Sequence, residues 1–175
     1  MTDAPPPASG LSRVAKINKA HDVSHFDCGN REMNEYLRRY ALTNSQSGSA
    51  QTYVVTRQGE VVGYYSLSPG HVSRDEVPER VRKGLGRYSI GVILLARLAV
   101  DKREQGKRLG EALLKDALLR AEAAADIISG RAVLVHAIDA AARGFYERYD
   151  FEPSPINEHQ LFLLMKDLRN MLRRQ

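Results

Sequence analysis

Leu94-Leu95-Ala96-Arg97-Leu98-Ala99-Val100-Asp101-Lys102-Arg103-Glu104-Gln105-Gly106-Lys107-Arg108-Leu109-Gly110-Glu111-Ala112-Leu113-Leu114 passes from an apolar strand, through a basic turn punctuated by glycine, into an amphipathic helix. The helix sets Leu109, Ala112, Leu113, Ala117 and Ala121 on one core-facing stripe, with Lys115, Asp116 and Arg120 largely on other faces. Its first turn offers unpaired backbone N–H groups and the positive end of the helix dipole. The loop adds the side chains of Lys102, Arg103, Lys107 and Arg108. Together these suit a pyrophosphate. The competing reading is an ordinary strand-to-helix turn with solvated charges.

Working outward, the pattern alternates strands and helices. Arg13 to Ile17 is expected as a first strand, and Asn30 as the N-cap of a helix with Met33, Leu37 and Tyr40 or Ala41 on one face. Gln51 to Arg57 and Val61 to Leu67 are β-rich runs joined by a hairpin turn at Gln58-Gly59-Glu60. A short helix is expected over Pro78 to Lys83, a central strand over Ile90 to Val100 and the long helix over Arg108 to Ala124. Ala132 to Ala137 reads as a further strand, Asp139 as the cap of a helix through Tyr149, and Leu161 to Lys166 as the last strand. The fold class is therefore α/β, with a mixed sheet whose first strands are antiparallel and with helices flanking it.

Composition bounds the function. A chain of 175 residues suffices for one domain, which at this size buries roughly two-thirds of its unfolded surface. The expected organisation is a loose arm over residues 1–10, rich in Pro and Gly, and a single domain over 11–175. No basic end precedes an apolar run and no stretch is long and apolar enough to span a bilayer, so neither a signal peptide nor membrane insertion is expected. Cys28 is the one cysteine, which excludes a disulfide framework and favours a reducing, cytoplasmic setting. A net charge of +5 points to a polyanionic partner or to a merely soluble surface. Its basic residues gather at Arg38-Arg39, at Arg80 to Arg87, at Lys102 to Arg108 and at Arg169 to Arg174. His21, His25, His71, His136 and His159 lack paired metal-ligand spacing, so no metal is expected. Cys28 reads as a buried thiol, and Asp27 as a turn cap rather than an amine-positioning group.

Arg97-Leu98-Ala99-Val100-Asp101 followed by Gln105-Gly106 and Gly110 resembles the acetyl-CoA signature of the GNAT N-acetyltransferases. The resemblance implies the GNAT fold, with Leu98, Ala99 and Val100 on the pantetheine arm. It implies a phosphate loop of Gln105, Gly106, Lys107, Arg108, Leu109, Gly110 and Glu111. Arg108 departs from the pattern, where a small residue is usual. Its side chain either crowds the phosphate, at about 1–2 kcal/mol if the position is left-handed, or places a guanidinium on the pyrophosphate, the favoured reading.

The segment Val133 to Phe151 resembles the GNAT element beside the thioester, with Asp150 where glycine is common. That implies Tyr146 as general acid on the departing thiolate; a core aromatic beside Phe145 is the alternative.

His21 to Asn30, Met33 to Leu37, Gly63 to Leu67, Arg97 to Asp101 and Phe145-Tyr146 together resemble the GNAT toxins of bacterial type II toxin-antitoxin pairs. Members acetylate the α-amino group of aminoacyl-tRNA and so stop translation. The resemblance implies a homodimer and a ribbon-helix-helix antitoxin; Arg38, Arg39 and Arg97 are weak tRNA-binding assignments, with Arg38-Arg39 facing water as the equal alternative. Rival readings are acetylation of a small-molecule or protein amine, and a non-catalytic module that binds CoA or nucleic acid.

Overall fold

The computed structural model describes residues 10–174; the rest of the expected arm, residues 1–9, lies outside them. Strands β1 (Ala15–Lys16), β2 (Gln51–Arg57), β3 (Glu60–Val72), β4 (Ile90–Val100), β5 (Ala132–His136), β6 (Glu152–Pro153) and β7 (Gln160–Leu164) form one mixed sheet. Their order is β1-β2-β3-β4-β5-β7-β6. The helices are α1 (Arg31–Glu35), α2 (Ala41–Ser47), α3 (Glu79–Arg82), α4 (Leu109–Ile128), α5 (Ala140–Glu147) and α6 (Met165–Arg173). Two compact units emerge, one from the chain up to Ser66 with Arg97–Asp116, the other from Leu67–Ala96 with the chain from Ala117 onward.

In the first unit, Gln58 and Gly59 both take positive φ, 52° and 81°. This is what a two-residue hairpin between right-twisted strands requires. β1 is shorter than the expected Arg13–Ile17 strand; it pairs antiparallel with β2, Ala15 opposite Val54 and Lys16 opposite Tyr53. The core gathers Ile17, Phe26, Tyr36, Leu37, Val54, Val61 and Tyr64. Phe26 meets Tyr64 edge-on at 5.5 Å, and the Tyr64 hydroxyl donates to the Met33 carbonyl at 2.7 Å. Asn30 caps α1 as expected, accepting from the Met33 N–H at 3.0 Å.

What the periodicity does not show is the π-helical turn at Tyr36–Tyr40 between α1 and α2. A π turn inserts an extra residue into the helical repeat. Tyr40 thereby ends up 52% exposed and Ala41 takes the core position.

Gly63 decides how α4 meets the sheet. A Cβ there would lie 2.9 Å from Leu113 Cδ1 and 3.0 Å from Val55 Cγ1. Leu109 and Leu113 are buried as expected, whereas Ala112 is exposed and Leu114 takes its place in the stripe.

In the second unit, β5 runs parallel to β4, Val92 opposite Ala132 and Leu95 opposite Val135. β7 runs antiparallel to β5 and β6 to β7. Its core includes Val72, Val81, Val92, Leu134 and Phe162. α4 continues four residues past the expected Ala124, to Ile128, and stops before Ser129, whose φ is 73°. Asp139 caps α5 by accepting from the Ala142 N–H at 2.8 Å, but the helix ends at Glu147 rather than Tyr149. The expected strand Leu161–Lys166 is cut at Leu164, because Met165 and Lys166 open α6, which buries Met165 and Leu168. An apolar pair three residues apart continues the buried run with helical instead of strand period.

Gly63→Ala is expected to destabilise the protein by about 1–3 kcal/mol through overpacking against Leu113 and Val55, read as a lowered denaturation midpoint with unchanged m-value.

Candidate active site

The basic loop is organised by two buried carboxylates. Asp101 closes β4, its own N–H donating to the Val62 carbonyl at 2.8 Å. Its side chain accepts from the Asp27 N–H at 3.0 Å, from the Arg103 N–H at 2.9 Å and from the Arg103 guanidinium at 2.9 and 3.1 Å. Burial pushes this carboxyl up, but the Arg103 side-chain and backbone donors and the Asp27 amide outweigh it, and it sits below the usual aspartate range. Glu104, in a 3-10 turn over Lys102–Glu104, accepts from Arg57 Nε at 2.5 Å and lies 3.4 Å from Lys107 Nζ. The Arg57 hydrogen bond holds the Glu104 carboxyl below the usual glutamate range despite burial.

Gln105 folds the loop back on the strand, its Nε2 donating to the Val100 carbonyl at 2.8 Å and the Cys28 carbonyl at 3.1 Å. Gly106 and Arg108 then take positive φ, 78° and 64°. Arg108 therefore occupies the left-handed position that favours glycine, at about 1–2 kcal/mol. Its carbonyl accepts from the Ala112 N–H at 3.2 Å, starting α4. The N–H groups of Leu109, Gly110 and Glu111 consequently have no intrahelical acceptor.

The side chains are arranged differently from the sequence expectation. Arg103 turns to Asp101 and Glu60, Lys107 to Glu104, and Lys102 lies 3.5 Å from Asp27. Of the four cations, Arg108 alone is exposed with no ion-pair partner among the described residues. Leu98 and Val100 are half-buried and Ala99 is buried on β4. Asp101 and Glu104 were not foreseen as anchors, although acids inside a basic loop are the signal for them.

In the second unit, Tyr146 lies buried on α5, edge-on to Phe145 at 5.2 Å and to Phe151 at 5.5 Å. Burial pushes its phenol well above the ordinary tyrosine value. The hydroxyl has no hydrogen bond among the described residues. After the helix, Asp150 takes a φ of 67°, the conformation glycine would supply at that turn.

The acetyltransferase (GNAT) domain family matches residues 48–153, which run through both units. The chain belongs to the GNAT acetyltransferases. It is an N-acetyltransferase, and acetyl-CoA is the donor such a domain uses. The acetyltransferase is 46% identical over 164 residues to the tRNA-acetylating toxin of Mycobacterium tuberculosis, covering 94% of this chain and 98% of the relative. Its fold matches AtaT complexed with acetyl-methionyl-tRNAfMet at a TM-score of 0.85 and 24% identity, covering 93% of this chain and 99% of that one. It also matches AtaTR bound with AcCoA at 0.81 and 24% identity, covering 94% and 99%.

Three further residues of the acetyltransferase were singled out from sequence. Arg38 donates to the Phe26 carbonyl, and Arg39 pairs with Glu35 at 3.0 Å. Both line a cavity of about 390 Å³ with Arg31 and Lys102. Arg97 is stacked 3.8 Å above the Tyr36 ring. Asp27 caps the turn, as expected, accepting from the Gly29 N–H at 2.9 Å, and Cys28 is half-buried with its thiol pushed up by burial. No helix among the described residues is long and apolar enough to cross a membrane.

Because Glu104 is held below its unfolded value, its stabilising contribution is full above the ordinary glutamate range and is lost as pH falls through the folded value. Glu104→Gln is therefore expected to lower Tm at neutral pH, with the gap to wild type closing on acidification. Parallel Tm-versus-pH curves for the two proteins would contradict the role of this carboxylate.

Proposed function

We propose that this acetyltransferase transfers acetyl from acetyl-CoA to the α-amino group of aminoacyl-tRNA and thereby blocks translation, acting as the toxin of a toxin-antitoxin pair. The observation that carries the reading is the 46% identity, over 94% of the chain, to a tRNA-acetylating toxin. Residues 11–175 are read as one catalytic domain, working as a cytoplasmic homodimer held in check by a ribbon-helix-helix antitoxin.

The loop from Gln105 to Glu111 supplies amides to the pyrophosphate, supported by the acceptor-free N–H groups at the start of α4. Arg108 adds a guanidinium, and Leu98, Ala99 and Val100 flank the pantetheine arm. The α-amino group has an ordinary pKa of about 7.7–8.0, lowered further by the ester, so a neutral fraction exists at pH 7 without a strong protein base. Its nitrogen attacks the thioester carbon, and backbone N–H groups of β4 stabilise the oxyanion. The C–S bond then breaks, the thiolate takes a proton from Tyr146, and the proton shed by the amine restores the phenol through solvent. A phenol raised by burial keeps its proton throughout the neutral range, as a donor must. Arg38 and Arg39 are assigned to tRNA phosphates, with Arg97 as a weaker contributor; binding through them weakens with salt.

Transfer of labelled acetyl to charged and deacylated tRNA tests the reading. Label is expected only on charged tRNA, and Tyr146→Phe is expected to lower the rate by about 10²–10⁴-fold while acetyl-CoA still binds. Label on small amines or on protein instead would overturn the tRNA assignment, and transfer undiminished in Tyr146→Phe would remove the phenol from the mechanism. Arg108→Gly relieves the backbone yet is expected to weaken acetyl-CoA binding about tenfold by deleting a charge-assisted contact. Tighter binding by that variant would show that the side chain obstructs the phosphate.

A further inference from the structure

Outside the acetyl-transfer machinery, one group of side chains in the first unit brings an imidazole and two carboxylates to one point. The ligand atoms of Asp22, His25 and Glu60 all lie within 4.8 Å of one another. His25 Nδ1 is 2.8 Å from Glu60 Oε1 and 3.9 Å from Asp22 Oδ2. A single ring N–H satisfies one carboxylate oxygen and leaves the other facing it. The remaining oxygens are already used: Asp22 Oδ1 accepts from the Ser24 N–H and hydroxyl, and Glu60 Oε2 lies 3.2 Å from Arg103. Two carboxylates thus converge on one imidazole nitrogen.

The backbones that carry these groups are fixed. Asp22 forms a parallel bridge with Glu60, its N–H donating to the Gly59 carbonyl at 3.2 Å and its carbonyl accepting from the Val61 N–H at 2.8 Å. Only side-chain rotations are needed to close the donors around an ion. A tetrahedral zinc with ligands at about 2.0–2.1 Å separates its donors by about 3.3 Å, within the range from 2.8 to 3.9 Å already present at His25. One imidazole with two carboxylates and a solvent-facing fourth position is a borderline donor set that suits Zn²⁺ over Mg²⁺ or Ca²⁺, which prefer oxygen alone.

We propose that Asp22, His25 and Glu60 form a Zn²⁺ site that clamps the 21–29 segment to the β2–β3 hairpin. Histidine spacing in the sequence conceals it, since Glu60 comes from a different element. The site carries no role in acetyl transfer, so it stands or falls apart from the acceptor assignment.

Calorimetric titration of tag-free, metal-stripped protein with Zn²⁺ tests it. One equivalent is expected to bind, with a rise in Tm because the ion favours the folded state. His25→Gln, a substitution at a side chain 68% exposed, is expected to weaken Zn²⁺ by at least about tenfold, and Asp22→Asn to do the same, while Cys28→Ser leaves the affinity unchanged. Equal affinity in wild type and His25→Gln, loss of binding in Cys28→Ser, or no binding heat overturns the proposal. Mg²⁺ binding as tight as Zn²⁺ would overturn the role of the imidazole.

Discussion

The Asp101 carboxylate is the constraint on which the basic loop depends. It sits at the point where β4 stops being a strand, and it joins the amide of Asp27, distant in sequence, to the guanidinium and amide of Arg103. A charge this buried, with 2% of the residue exposed, is tolerated because every approach to it is a donor. Glu104 repeats the device one turn later with Arg57. The loop is thereby stapled at both sides to β2 and to the 21–29 segment, and the cations that looked free in the sequence are largely committed to holding it.

That reassignment marks the boundary of what the residues alone disclose. The strand, loop and helix from Leu94 to Leu114 were legible because local chemistry decides them: an apolar run, glycine punctuation, then a helical stripe. The Gln58-Gly59 hairpin and the Asn30 and Asp139 caps were legible for the same reason. Pairings across the chain were not. Arg103 is two residues from Gln105 in sequence, and nothing local reveals that Glu60, from a distant strand, also claims it. The π turn at Tyr36–Tyr40 preserves helical composition while changing phase, so periodicity leaves Tyr40 and Ala41 undistinguished where the structure buries Ala41. α6 follows β7 without an intervening loop, and a continuous apolar run hides the change of period at Met165.

Tyr146 illustrates the same limit from the chemical side. Its position after Phe145 suggested either a core aromatic or an acid, and its surroundings support features of both: aromatic edges on two sides, and a hydroxyl with no hydrogen bond among the described residues. A buried phenol of this kind is held by its ring, which leaves its polar end uncommitted.

The left-handed backbone at Arg108 has a consequence for the entropy of ligand capture. Glycine would adopt φ near 64° without strain, but it would also give the loop many more conformations to surrender. With arginine there, locked between the Gly106 turn and the first turn of α4, part of that ordering is completed when the chain folds. On the proposed function, a diphosphate arriving at the loop meets amides that are already aligned, and less of its binding free energy is diverted to organising them.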